Sequence, residues 1–337
     1  LGDAVTVNLV YKPFFEVERR KYRFRILNAS VARFYKIALS DGSQMIQIAN
    51  DGNLLPNPVT LTQLDQQGIA ERYDIVIDFS RYSSGQTVSM VNLLEHVTGR
   101  MPETTLSLSS ALAGASPDPG VGRFLEFRIV RDPAEADISQ VPAVLIPNPD
   151  LSAIPVARER LFEFGRDAFQ TSSDPVSASV GEWGIRSEFD AKGKKRADQQ
   201  TLAADFGRIT ARTGYGTREI WTLKNGGGAW DHPIHIHFEE GQILSRNGSG
   251  SNVQAAERGR KDVYRLRPGG ELRITMQFRD FGGMFMQHCH NTVHEDHAML
   301  MRWEIDGNGV PYLTTLPTPI PRPQGVTFQD PTILKNA

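Results

Sequence analysis

Gln287-His-Cys-His-Asn-Thr-Val-His-Glu-Asp-His-Ala-Met299 contains the only cysteine of the chain, Cys289, with a histidine on either side. His294 follows it by five residues and Met299 by ten. Upstream, His232-Pro-Ile-His-Ile-His237 adds three more histidines at tight spacing. One soft thiolate, two imidazoles and a weak thioether form the ligand set of a blue copper electron-transfer site, a compromise that changes shape little when the metal is reduced. On that chemistry His232, Cys289, His294 and Met299 are assigned to one copper.

Besides His297, four histidines remain in these motifs: His235, His237, His288 and His290. In a strand, residues i and i+2 share a face. His235 and His237 therefore project together, as do His288 and His290, while Cys289 projects the opposite way. The parity predicts one copper on one side of the cysteine strand and a second metal site on the other. Simpler readings exist. A lone buried cysteine is usually an inert small hydrophobe, and cysteine with several histidines also suits zinc. Zinc gives no reason for Met299, and seven of the chain's eight histidines fall in these two motifs.

HPIHIH (His232–His237) and HCHNTVHEDHAM (His288–Met299) resemble the two C-terminal copper motifs of the multicopper oxidases, especially the bacterial laccase, spore-coat oxidase, bilirubin oxidase and phenoxazinone synthase group. The segment GRKDVYRLRPGGELRITMQFRDFGGMFMQHCH (Gly259–His290) follows the same pattern. YRFRILNASVARFY (Tyr22–Tyr35) and ERYDIVIDFS (Glu71–Ser80) resemble the second domain of that family. The resemblance runs over nearly the whole chain.

The resemblance implies an all-β protein of two cupredoxin-like Greek-key β-sandwich domains. It matches His232, Cys289, His294 and Met299 to type 1 copper ligands, His235 to a type 2 ligand, and His237, His288 and His290 to type 3 ligands. It makes Cys289, His288 and His290 the catalytic path and Glu295 a carboxylate that relays protons to dioxygen; the other reading of Glu295 is a solvated surface acid. One departure is large. The family builds its trinuclear cluster from eight histidines, four of them in two further His-x-His motifs of a first domain, and this chain has no His-x-His beyond His235/His237 and His288/His290. His96 stands alone and reads as an ordinary surface or turn histidine; His297 reads as a non-ligand. The expectation is therefore a multicopper oxidase seen without its first domain, whose other ligands come from a nicked N-terminal segment, a second polypeptide or a neighbouring protomer.

The chain has 337 residues, enough for two domains. Short alternating runs such as KYRFRIL, YDIVIDF, REIWTL, ELRITMQF and MLMRWEI argue for β-sandwiches, with a short helix expected around Thr60–Gln67. Residues 1–132 form an expected domain without a metal motif. Residues 133–155, with Pro133, Pro142, Pro147, Pro149 and Pro155, read as a proline-rich linker. Residues 156–337 form the copper-bearing domain. Ser172–Gln200 reads as a long polar surface loop able to cover the copper site, and the proline-spaced tail from Leu316 as an extended segment.

A formal net charge of −2 indicates neither nucleic acid nor a membrane surface as partner. No apolar run approaches the ~18 residues that a spanning helix needs. The sequons at Asn28 and Asn247 read as coincidental. The family resemblance implies oxidation of phenols and aromatic amines, one electron at a time at type 1 copper, coupled to reduction of dioxygen to water. The same resemblance implies dioxygen and a small reducing substrate as partners and a periplasmic or secreted location. His232 or His294 is the expected edge at which electrons arrive. The rivals are a non-enzymatic type 1 copper electron-transfer protein or subunit, and a metal-ion oxidase. Met284, Met286, Met299 and Met301 would suit Cu(I), while Glu239 and Glu240 would suit Mn(II) unless they are paired or solvated.

Overall fold

The computed structural model describes residues 1–166, 183–187, 201–204, 209–226, 229–279 and 282–306. The alternating runs are strands, and their apolar parity points inward. Along Arg72–Asp78 and just beyond it, Tyr73, Ile75, Ile77 and Phe79 are buried. Leu272, Ile274, Met276 and Phe278 repeat the pattern through Glu271–Gln277, and Met299, Met301, Trp303 and Ile305 do so through Leu300–Asp306. Each fully buried side chain of this size stabilises by roughly 1.5–3 kcal/mol, which commits the register, because a one-residue slip would turn every apolar group outward.

Four main sheets result. Residues 14–131 build two of them. One runs Phe14–Glu18, Gly122–Arg131, Thr87–Asn92, Ile37–Leu39; the other runs Lys21–Leu27, Arg72–Asp78, Met45–Asn50, Asn53–Leu61. Between them lies a core that includes Leu39, Met45, Ile75, Phe79 and Phe127. The second pair starts at Val156. A six-stranded sheet runs Trp183–Ser187, Val156–Arg166, Arg218–Asn225, Glu271–Gln277, Gly241–Arg246, Arg260–Lys261. A five-stranded sheet runs Ile209–Gly214, Leu300–Asp306, Gly283–Cys289, His232–Ile236, Val263–Leu266. Their shared core contains Phe162, Trp221, Tyr264, Trp303, Cys289 and Met299. Two sheets packed over one apolar layer, twice, is the expected β-sandwich architecture.

Residues 133–155 carry no strand, and the Leu145 and Ile146 amides donate to the Pro56 and Leu55 carbonyls. This extended stretch is thus fastened to the first sandwich. Two local expectations are corrected. The Thr60–Gln67 region is not helical: it continues the Asn53–Leu61 strand and then runs without regular structure. The α-helices among the described residues are short, at Leu108–Leu112 and Thr292–Asp296. The stretch Ser172–Gln200 is not all loop, because Trp183–Ser187 is an edge strand paired with Val156–Arg166; its signal was Trp183 and Ile185 alternating with Gly184 and Arg186. The rest of that stretch and the tail from Leu316 lie outside the described residues.

The two sandwiches meet through buried charge. Lys261 Nζ lies 3.0 Å from both Asp51 Oδ2 and Glu71 Oε1, and Arg265 Nε lies 3.0 Å from Glu71 Oε2. Arg72 grips Asp262 with both Nη atoms, at 2.8 and 2.7 Å. Burial pushes the Lys261 ammonium down, but Asp51 and Glu71 outweigh that and hold it above its usual range.

Candidate metal centre

Register decides which histidines meet. The His232–Ile236 strand pairs antiparallel with Gly283–Cys289, so that Ile234 faces Cys289 and His235 faces His288. His232 shares parity with Ile234 and hence with Cys289. His235 and His237 share the other face with His288 and His290. Pro233 is tolerated because it sits at the strand's start, where its carbonyl accepts from the His290 amide.

After Cys289 the chain turns into the Thr292–Asp296 helix, whose N-cap Asn291 accepts from the Val293 amide. This single turn returns His294 to the cysteine face and puts Glu295 on the opposite one. Ala298 ends the turn at φ 83°, a left-handed conformation that a residue with a Cβ rarely adopts. It lets the Met299 amide donate to the His294 carbonyl at 3.0 Å while the Cys289 amide donates to the Met299 carbonyl at 3.1 Å. Met299 is thereby buried in the same core as Cys289.

On the cysteine face, Cys289 Sγ lies 3.5 Å from His232 Nδ1 and 3.5 Å from His294 Nδ1, and the two Nδ1 atoms are 3.1 Å apart. All three residues are buried. Burial pushes the His294 imidazole down to about 3 and the His232 imidazole well below its usual value. Both rings are therefore neutral, as metal ligands must be. With Nδ1 turned inward, each ring keeps its proton on Nε2, and neither Nε2 finds a hydrogen-bond partner among the described residues. Burial pushes the Cys289 thiol up, so a thiolate here requires a cation beside it. The donor set and its aim fit one copper of the type 1 kind.

On the opposite face, one donor atom each of His235, His237 and His288 lies within 4.8 Å of the others. His237 Nε2 and His288 Nε2 are 3.1 Å apart. His290 is not within that group. Its ring stands 5.3 Å from that of His288 and 5.8 Å from that of His235, with a buried Nδ1 that has no partner among the described residues. His235 donates from Nδ1 to the Asp262 carbonyl at 2.9 Å, which leaves Nε2 as its lone pair. Burial pushes the His237 imidazole down to about 4 and lowers those of His235 and His290. Convergent imidazoles fit a second metal site.

Glu295 is no free surface acid: its Oε1 lies 3.2 Å from His288 Nδ1. Partial burial pushes the Glu295 carboxyl up, but the contact with His288, reinforced by His290 and His237, outweighs it and holds the group below the usual glutamate range. His297 bonds its own helix, at 2.6 Å from the Val293 carbonyl, and belongs to neither group. The expectation of a surface His96 is corrected. It is buried against Phe34, whose amide donates to His96 Nδ1 at 3.4 Å, and burial pushes its imidazole down to about 4.

Trp183 was not anticipated. Its indole stacks on His294 at 4.0 Å, and Trp230 meets the same imidazole edge-on at 5.2 Å. His232 and His294, the expected edge for arriving electrons, are both buried. Trp230, which meets His294 edge-on, is itself partly exposed.

The methionines divide. Met299 and Met301 are core residues, whereas Met284 is exposed. Glu239 is buried and accepts from the Arg279 amide at 2.8 Å, and Glu240 pairs with Arg260 at 3.2 Å. Both glutamates are thus paired. Asn28, the first sequon asparagine, is buried and donates to the Arg33 and Gln67 carbonyls.

Residues 182–308 match the family model described as multicopper oxidase. The chain is 33% identical over 312 residues to a bilirubin oxidase of Albifimbria verrucaria, covering 89% of this chain and 47% of that protein. It is 29% identical over 321 residues to a laccase of Bacillus subtilis, covering 90% and 54%. The structure of a laccase from Pediococcus acidilactici superposes with a TM-score of 0.65 at 26% identity, over 91% of this chain and 54% of that one. A multicopper oxidase from Aquifex aeolicus, at 21% identity and a TM-score of 0.66, shows the shared fold alone. The chain spans about half the length of the curated relatives it matches.

Proposed function

This chain belongs to the multicopper oxidase family, and on that premise we propose that it supplies the electron-accepting half of a laccase-like oxidase. The donors are phenols and aromatic amines, and the acceptor is dioxygen. Copper, when bound, supplies the one-electron couple and the reduction of dioxygen by four electrons and four protons to two waters.

The observation that carries the reading is that Cys289 and His288 are neighbours in the chain yet face opposite donor groups. The covalent route between the two groups is then only the Cys289 side chain, one peptide unit and the His288 side chain. A simple electron carrier has no use for the second group. His232, Cys289 and His294, with Met299 as a further soft donor, would hold the type 1 ion in a dry core. His235 is the type 2 ligand, and His237, His288 and His290 are type 3 ligands. Glu295 Oε1 holds and passes protons beside His288. The same reading divides the chain into a metal-free domain (1–132), a linker (133–155) and the copper domain (156–337). It places the protein in the periplasm or outside the cell. No helix among the described residues is long and apolar enough to cross a membrane.

Oxygen uptake by the complete copper-loaded assembly, with a phenolic donor compared against Mn(II) and Cu(I), tests the substrate assignment. Faster turnover of either metal ion would overturn it.

Two further expectations follow. Three or four imidazoles cannot saturate three metal ions, so the remaining ligands come from a further histidine-bearing segment, on this or another polypeptide. Copper retained after desalting should be about four per complete assembly and about one for residues 1–337 alone, on the type 1 ligand count. Four retained coppers and oxygen reduction without any further segment would sink the idea. Met299→Leu removes a weak soft ligand while preserving core volume. The blue site should persist with a raised reduction potential, read by redox titration of its visible band. An unchanged or lower potential would remove Met299 from the ligand set.

A further inference from the structure

The metal-free sandwich reaches into the second metal group. Its Met45–Asn50 and Asn53–Leu61 strands are joined by a two-residue turn with Asp51 at φ 46° and Gly52 at φ 84°. Two consecutive left-handed residues make the tight hairpin turn that Asp-Gly favours. The turn points Asp51 at the opposite sandwich, where its carboxylate is fully buried. Asp51 Oδ1 accepts from the Arg72 amide at 3.0 Å. Asp51 Oδ2 accepts from the Asp262 and Val263 amides at 3.3 and 3.2 Å.

Asp262 is the residue whose carbonyl accepts from His235 Nδ1, and its own Oδ1 lies 3.7 Å from the same nitrogen. Arg72, also from the metal-free sandwich, holds both oxygens of that carboxylate in a two-pronged grip. Such a fork fixes orientation as well as distance. Asp262 is thereby pinned at its backbone by Asp51 and at its side chain by Arg72.

We propose that Asp51 and Arg72 act through Asp262 as positioning residues for His235, so that the metal-free sandwich sets how well the second group takes up metal. The pinned carbonyl holds the Nδ1 proton and fixes the ring plane, which keeps Nε2 as the lone pair facing His237 and His288. Groups that orient a ligating imidazole in this way typically contribute about 10–100-fold to metal affinity. This inference rests on the reading of His235 as a ligand.

The test uses the full chain, first loaded at the type 1 site, then titrated with cupric ion at equilibrium. Electron paramagnetic resonance reads the second site and the visible thiolate band reads the first. Arg72→Gln and Asp262→Asn should each weaken cupric binding at the second site by about 10–100-fold and alter its hyperfine splitting, with the thiolate band unchanged. Arg72→Lys, which keeps the charge without the fork, should fall between these variants and the parent. A general loosening of the fold would instead move both signals together, and that outcome overturns the proposal. So does full cupric affinity in both Arg72→Gln and Asp262→Asn while His235→Ala loses it; the ligand reading then stands without the positioning role. If His235→Ala also binds normally, the ligand reading falls and the proposal falls with it.

Discussion

Cys289→Ser should abolish the intense visible absorption of the copper-loaded protein and all turnover of the complete oxidase. Cys289 is the only thiol in the chain, so no neighbour can replace it. A serine hydroxyl keeps its proton at neutral pH and offers neither the soft donor nor the thiolate-to-metal charge transfer that colours a blue site. The position is fully buried among Ile234, Met299 and Trp303, so the hydroxyl also carries a desolvation cost of about 1–3 kcal/mol. That cost leaves the fold standing, which circular dichroism would verify. A blue band that survives the exchange would refute the assignment of Cys289, and with it the proposed link between the two metal groups.

Lys261→Met should destabilise the protein by about 3–5 kcal/mol, because removing one partner of a buried ion pair leaves uncompensated charge in the interior. Here two carboxylates lose their shared cation. Asp51 and Glu71 each lie 3.0 Å from Nζ, and all three side chains are buried. At the ~2–4 °C per kcal/mol usual for domains of this size, the thermal midpoint should fall by on the order of 10 °C. Adding Glu71→Gln to Lys261→Met should recover part of the loss, since it removes one of the stranded charges. A double-mutant cycle with no coupling between the two positions would contradict the reading of this cluster as one electrostatic unit.

Much of the fold was legible because both sandwiches are built from strands with one apolar face. KYRFRIL, YDIVIDF, ELRITMQF and MLMRWEI each announce a strand by alternation alone, and each is one. Legibility failed where tertiary contact overrode local character. Trp183–Ser187 sits in a polar stretch and is recruited as an edge strand by Val156–Arg166. His96 is polar and isolated in the sequence, yet it is packed under Phe34. Thr60–Gln67 lacks alternation because its residues leave a strand for an irregular run that pairs across the sandwich through the Leu64 and Gln67 amides.

The candidate site divides in the same way. By itself the sequence determined the donor chemistry, one thiolate with its histidines and a spaced methionine. It also determined which of these share a face within a single strand, since side-chain parity is a local property of extended backbone. Only the tertiary structure decided that Ile234 stands opposite Cys289 and His235 opposite His288, which joins His232 to the cysteine face. Only the tertiary structure roofed His294 with Trp183 and brought Asp51 and Arg72 against Asp262 behind His235. Register, stacking and buried charge pairs join residues far apart in the chain. They depend on how whole sheets pack, and no local pattern carries that information.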